Sequence, residues 1–172
     1  ATCRWCEGTA RIVSSEAADS RHSVVSVQTR AAMAERTEED IYFDKRFLAR
    51  RNETRLSVTT AVAHATCTTA LDTNAADILT VTQSGETARL VCKYRPSTPI
   101  VACVMHEKVY RQLALSWGVN PVIMPYAKNT DEMIDQSAKA AVDAGLIQNG
   151  DLVVITAGVP VGVPGTTNMI KA

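Results

Sequence analysis

Two hydrophobic periods alternate along most of the chain. Short runs of consecutive apolar, largely β-branched residues occur at Ile78–Val81, 99–104, 119–124 and 152–156, each bounded by turn-forming residues. Unbroken apolar runs of this length predict strands buried on both faces. Between them the apolar positions recur every three to four residues, the period of a helix. One helix is predicted to open after Gly85 and to close before Pro96. A second spans 108–116, with Val109, Leu113 and Trp117 to one side. In a third, Asn129 is the N-cap and Glu132 completes a capping box. That helix should bury Met133, Ile134, Ala138, Ala141 and Val142 and stop at Gly145. Upstream, Val24, Val27, Ala31 and Ala34 predict a helix from an N-cap at Ser23 to about Arg36. Residues 54–71 predict another, with Val58, Ala61, Val62, Ala65 and Thr69 facing the core, ended by Asp72-Thr73-Asn74. After the fourth strand a Gly/Pro-rich loop runs from 157 to 165, and 166–171 make a last strand.

Strands that alternate with helices predict a parallel sheet covered on both sides. The last strand follows its neighbour with no helix between them, so it should pair antiparallel at the edge. The expected fold is α/β: a three-layer α/β/α sandwich on a mostly parallel sheet of about five strands. Residues 1–22 carry little periodicity and are expected to lie outside the core, which leaves 23–172 as the single domain. The charge-rich stretch 37–53 is expected to be a solvated connector packed by Tyr42, Phe43, Phe47 and Leu48.

Composition removes several classes of function. The 172 residues carry 18 basic and 18 acidic side chains, so no net charge draws the chain to nucleic acid or to a membrane surface. No apolar run approaches a membrane span and no apolar signal region is visible near the start, which predicts a soluble, cytoplasmic chain. The five cysteines read as reduced residues. Cys3 and Cys6 form a single C-x-x-C with no second pair, half of a four-cysteine zinc site. His64 has no other ligand-type residue one turn away and reads as a buried, hydrogen-bonded side chain. There is no Walker loop, no G-x-G-x-x-G opening a helix and no G-x-S-x-G elbow, so conventional catalytic motifs are lacking.

Binding chemistry is written in one stretch. After the strand 78–81 come Thr82-Gln83-Ser84-Gly85-Glu86-Thr87, then a helix. The first turn of a helix presents N–H groups with no acceptor behind them, and its dipole favours an anion. Gly85 lets the backbone approach a ligand, and Thr82, Ser84 and Thr87 add hydroxyls. A Ser-Gly helix start is more often an ordinary helix cap than a ligand site.

Thr82-Gln83-Ser84-Gly85-Glu86-Thr87-Ala88-Arg89, followed by Lys93-Tyr94-Arg95-Pro96 and Pro99-Ile100, resembles the C-terminal domain of pyruvate kinases. Further matches keep the same order: Arg111-Gln112-Leu113, Trp117-Gly118-Val119-Asn120-Pro121, Gly150-Asp151 and Gly165-Thr166-Thr167-Asn168. The resemblance covers about 24–172 and implies the same α/β/α fold. Glu7-Gly8-Thr9 and Ser15-Glu16-Ala17 resemble, more loosely, the end of the family's catalytic barrel. It further implies a regulatory, effector-binding and subunit-interface domain. The parent enzyme transfers a phosphoryl group from phosphoenolpyruvate to ADP. The family's catalytic lysine, its Mg²⁺ and its K⁺ belong to the barrel, none of whose motifs occur here, so this domain needs no cofactor and should be inactive by itself. Carried over by position, Thr82, Gln83, Ser84, Gly85 and Thr87 would cradle an effector phosphate, Trp117 would lie near the effector's sugar, and Gly162 to Gly165 would belong to a closing loop. Gln83 stands where some relatives have lysine, and Glu86 adds a negative charge. The effector implied is a sugar phosphate or AMP, and the assembly a homodimer formed through the edge strand 166–171. A stand-alone binding module for a phosphorylated metabolite, or a small α/β enzyme with an unrecognised site, are the other readings.

Overall fold

Three parallel strand pairings and one antiparallel pairing organise the domain seen in the computed structural model, which describes residues 57–160 and 166–172. The chain divides into two units, Ala1–Tyr42 and Phe43–Ala172, and every described residue belongs to the second. The expectations for 1–22, for the helix from Ser23, for 37–53, for Cys3 and Cys6, and for Gly162 and Gly165 fall outside the described residues.

The described elements are α1 (Val58–Asp72), β1 (Asp77–Val81), α2 (Glu86–Lys93), β2 (Ile100–Val104), α3 (Glu107–Leu113), β3 (Val119–Ile123), α4 (Thr130–Asp143), β4 (Val153–Gly158) and β5 (Thr167–Lys171). The sheet order is β3-β2-β1-β4-β5. β1 lies at its centre, parallel to β2 and β4, with Leu79 opposite Val101 on one side and Ile155 on the other. β4 and β5 are antiparallel, as the missing helix between them requires. The mixed five-stranded sheet is the expected one.

All five residues of β1 and of β2 are buried, which is why these strands read as unbroken apolar runs. Ile78, Ile100, Ala102 and Val154 pack on one face against Ala63 and Cys67 of α1, Val91 of α2 and Leu113 of α3. Leu79, Val101, Cys103 and Ile155 pack on the other face with Met133 and Ala141 of α4. Burial pushes the Cys67 and Cys103 thiols up to about 12, so both stay protonated and serve as small apolar residues.

Two helix faces differ from the pattern-based expectation. In α1 the buried residues are Ala63, Thr66, Cys67 and Ala70, whereas Val58 is 70% exposed and Ala61 is exposed. The face is rotated by about one residue, roughly 100°. The helix is rich in Ala and Thr all round, and closeness of approach decides which side is buried. Thr66 can be buried because its hydroxyl donates to Val62 O at 2.8 Å. In α4 the fully buried residues are Met133, Ser137 and Ala141, while Ile134, Ala138 and Val142 are half-buried. Ser137 is satisfied by donating to Ile134 O at 2.8 Å. Asn129 caps this helix through Glu132 N–H at 2.8 Å, as expected, but the Glu132 carboxylate accepts from Lys128 N–H and not from the cap residue itself.

The two edges of the sheet are unlike. β3 carries Pro121 at its middle position, opposite Ala102. β5 carries no proline and ends in the exposed Lys171.

Candidate functional site

β1 ends at Val81, opposite Ala157 of β4, so the loops after both strands leave the sheet at its carboxyl edge. Thr82 makes one last ladder bond, its N–H donating to Cys103 O at 3.1 Å. The chain then turns sharply. Gly85 takes a left-handed conformation, φ 84°, and becomes the N-cap of α2 without offering a side chain. The Thr82 hydroxyl accepts from Gly85 N–H at 3.0 Å, and the Ser84 hydroxyl lies 3.4 Å from Glu86 N. These hydroxyls therefore hold the turn and keep their own protons available. The N–H groups of Glu86, Thr87 and Ala88 form the first turn of α2, at the positive end of its dipole.

Thr82 and Thr87 are each 6% exposed, Gly85 is buried, Gln83 is half-buried and Ser84 is exposed. These five predicted residues are brought together. Trp117 is not among them. It precedes β3, and Ile100 N–H at the start of β2 bonds to the neighbouring Gly118 carbonyl. Trp117 thus stands at the amino edge of the sheet, where its carbonyl accepts from Cys92 Sγ at 3.0 Å and its ring lies 4.5 Å beneath the Arg95 guanidinium. The length of α2, about 12 Å for its eight residues, separates it from the loop. The assignment to the sugar region is corrected accordingly. The signal was available, because a residue just before a parallel strand must lie at the edge opposite to the loops that follow the strands.

Three residues beyond the expected set join the site. Arg89, one turn into α2, folds back across the glycine. Its Nη1 donates to Ser84 O at 3.0 Å and its Nη2 to Gln112 Oε1 of α3 at 3.4 Å. A Cβ placed on Gly85 would stand 3.2 Å from that Nη1. Four-residue spacing from Gly85 was the legible signal. Thr167, the first residue of β5, shares a 2.8 Å hydroxyl–hydroxyl bond with Thr87, and both are buried. Asn168 clamps the stem of the other loop: its Oδ1 accepts from Val159 N–H at 2.8 Å and its Nδ2 donates to Val159 O at 2.6 Å. Gly158 lies at the bulge beside this clamp, where a Cβ would run into the Thr166 carbonyl oxygen. Among the described residues no group of three or more His, Cys, Asp or Glu could hold a metal, and no helix is long and apolar enough to cross a membrane.

A mixed five-stranded sheet with helices packed on both faces defines a domain of the three-layer α/β class. The sequence profile described as "Pyruvate kinase, alpha/beta domain" matches residues 60–172. The chain belongs to the pyruvate kinase family. It is 44% identical over 160 residues to the pyruvate kinase of Clostridium acetobutylicum, covering 93% of this chain and 34% of that protein. It is 43% identical over 160 residues to that of Geobacillus stearothermophilus, covering 93% of this chain and 27% of that one. Among solved structures, the Cryptosporidium parvum pyruvate kinase in complex with ADP superposes with a TM-score of 0.67 at 32% identity, over 76% of this chain and 27% of that one. The chain thus spans about a third or less of the length of the relatives it matches.

Proposed function

We infer that this chain is the effector-binding and subunit-interface domain of a pyruvate kinase, whose complete enzyme transfers a phosphoryl group from phosphoenolpyruvate to ADP in the cytoplasm. In this reading the loop 82–87 takes the phosphate of a sugar phosphate or of AMP. A second copy pairs along β5, whose outer backbone groups are free for a further strand among the described residues. Phosphoryl transfer belongs to the rest of the family's chain.

The observation that carries the reading is the convergence at Gly85. A left-handed glycine, a helix N-terminus, three threonine or serine hydroxyls and one arginine meet within a single turn. Neutral hydrogen bonds add about 1 kcal/mol apiece and the helix end roughly 0.3–1 kcal/mol. Their sum corresponds to a millimolar to high-micromolar Kd for inorganic phosphate, on the order expected for a bare anion. Titration of phosphate, ribose 5-phosphate, AMP and fructose bisphosphate against wild type and Ser84→Asp is the test. Binding by wild type and its loss in Ser84→Asp is the expected result; equal behaviour of the two proteins would reduce the loop to a helix cap.

A further inference from the structure

Arg89 is the cation of this site, yet a carboxylate of the chain already stands in the same field. Glu86, the first residue of α2, places Oε2 4.0 Å from Arg89 Nη1. Both side chains are substantially exposed, 56% for Glu86 and 41% for Arg89. The arginine is held in place by neutral acceptors, Ser84 O and Gln112 Oε1, so it does not depend on Glu86 for its position. At 4.0 Å the pair sits at the outer limit of an ion pair. A guanidinium has five N–H donors, and the two neutral contacts leave several open for a closer anion. Glu86 also lies in the first turn of α2, where a negative charge is favoured by the helix dipole. The two attractions that would draw a phosphate to the loop therefore already act on this carboxylate.

We propose that Glu86 is a tethered competitor, an internal anion that holds the place of the ligand's phosphate at Arg89 and at the start of α2 and thereby sets the affinity of the loop. The proposal rests on the reading that the loop binds phosphate. It adds that the site is tuned for weak, readily exchanged binding. When a phosphate arrives, the Glu86 side chain swings to solvent and Arg89 stays where Ser84 and Gln112 hold it. Removing the carboxylate should tighten binding, a gain that damaged folding cannot imitate.

The experiment measures inorganic phosphate binding to the 172-residue chain, wild type, Glu86→Gln, Arg89→Gln and the double variant, by calorimetry at low and at high salt. Glu86→Gln keeps the shape of an exposed side chain and should bind phosphate about three- to fivefold more tightly than wild type, a gain that shrinks as salt screens it. In the Arg89→Gln background the same substitution should gain little. If wild type binds phosphate and Glu86→Gln binds it equally or more weakly, the competitor is overturned and the phosphate loop stands. If the full gain persists without Arg89, the arginine's part in the competition is overturned. If neither wild type nor Glu86→Gln binds phosphate, the loop reading falls, and the competitor falls with it.

Discussion

The two ends of α2 are built from like parts and come to opposite uses. Each end has one residue in the left-handed region, Gly85 at φ 84° before the helix and Arg95 at φ 53° after it. Each end also has an arginine. At the amino end the left-handed position is a glycine, and Arg89 lies over it with two neutral partners and a distant carboxylate. At the carboxyl end the arginine itself occupies the left-handed position, and its guanidinium is spent on the face of Trp117. The Arg95 N–H donates to Cys92 O at 3.0 Å, closing the helix as glycine commonly does. An arginine stacked on an aromatic ring in this way serves structure. One that is pinned by two neutral acceptors, beside hydroxyls and a helix start, is the arginine the proposed phosphate site would use. Charge alone does not separate the two, because Arg89 and Arg95 look equivalent until their partners are known.

The largest expected effect lies beneath both ends, in the two faces of the sheet, where Cys67 packs on the side of α2 and Cys103 on the side of α4. Burial holds the Cys67 and Cys103 thiols at about 12 in the folded protein, well above the ordinary thiol value of about 9. Above pH 9 the unfolded chain releases these protons and the folded one does not, so the unfolded state binds fewer protons and stability falls as pH rises. The stabilisation is complete below about pH 9 and is lost between about 9 and 12, at roughly 1.4 kcal/mol per pH unit for each thiol. Urea unfolding across that range should show the fall, and Cys103→Ala should flatten it by about half.

Next, Trp117→Ala removes the surface on which Arg95 stacks and should cost about 2 kcal/mol of stability while leaving phosphate affinity unchanged. A matching loss of phosphate binding would show that the two ends are not independent. Gly85→Ala should do the reverse in emphasis. A left-handed alanine costs roughly 1–2 kcal/mol, and its Cβ would crowd Arg89 and Val109, both 3.2 Å away. Phosphate binding should therefore drop far more than the melting temperature suggests. The smallest effect is expected for Arg95→Gly. Relief of about 1 kcal/mol at the left-handed position opposes the loss of about 0.5–1 kcal/mol of cation–π attraction. Thermal unfolding should shift by no more than a degree or two.

The strands were legible because β1 and β2 are buried throughout and so had to be written as unbroken apolar runs. The antiparallel edge was legible from the missing helix before β5. α1 was legible as a helix but not by its buried side, because Ala63, Thr66, Cys67 and Ala70 differ little in hydropathy from the residues around them. In such a helix, closeness of packing chooses the face, and closeness depends on the partner surface. The turn at Gly85 could be read from Thr82, Ser84 and Gly85, whose bonds are local. Thr167 and Asn168 could not, since their partners Thr87 and Val159 lie 80 and 9 residues away. Trp117, carried over by position from the resemblance, stands at the opposite edge of the sheet from the loop, and the direction of β3 was the legible sign of that.

Pro121 has a consequence for assembly. It gives β3 an edge lacking one ladder donor, whereas β5 has an edge without proline. A sheet blunted on one side and open on the other cannot serve as both plug and socket. Copies joined β5 to β5 face each other across a two-fold axis, and each has then used the one open border among the described strands. In the proposed β5-to-β5 pair, growth would end at that junction and give a closed dimer with a continuous ten-stranded sheet (two copies of the five described strands) rather than a fibre.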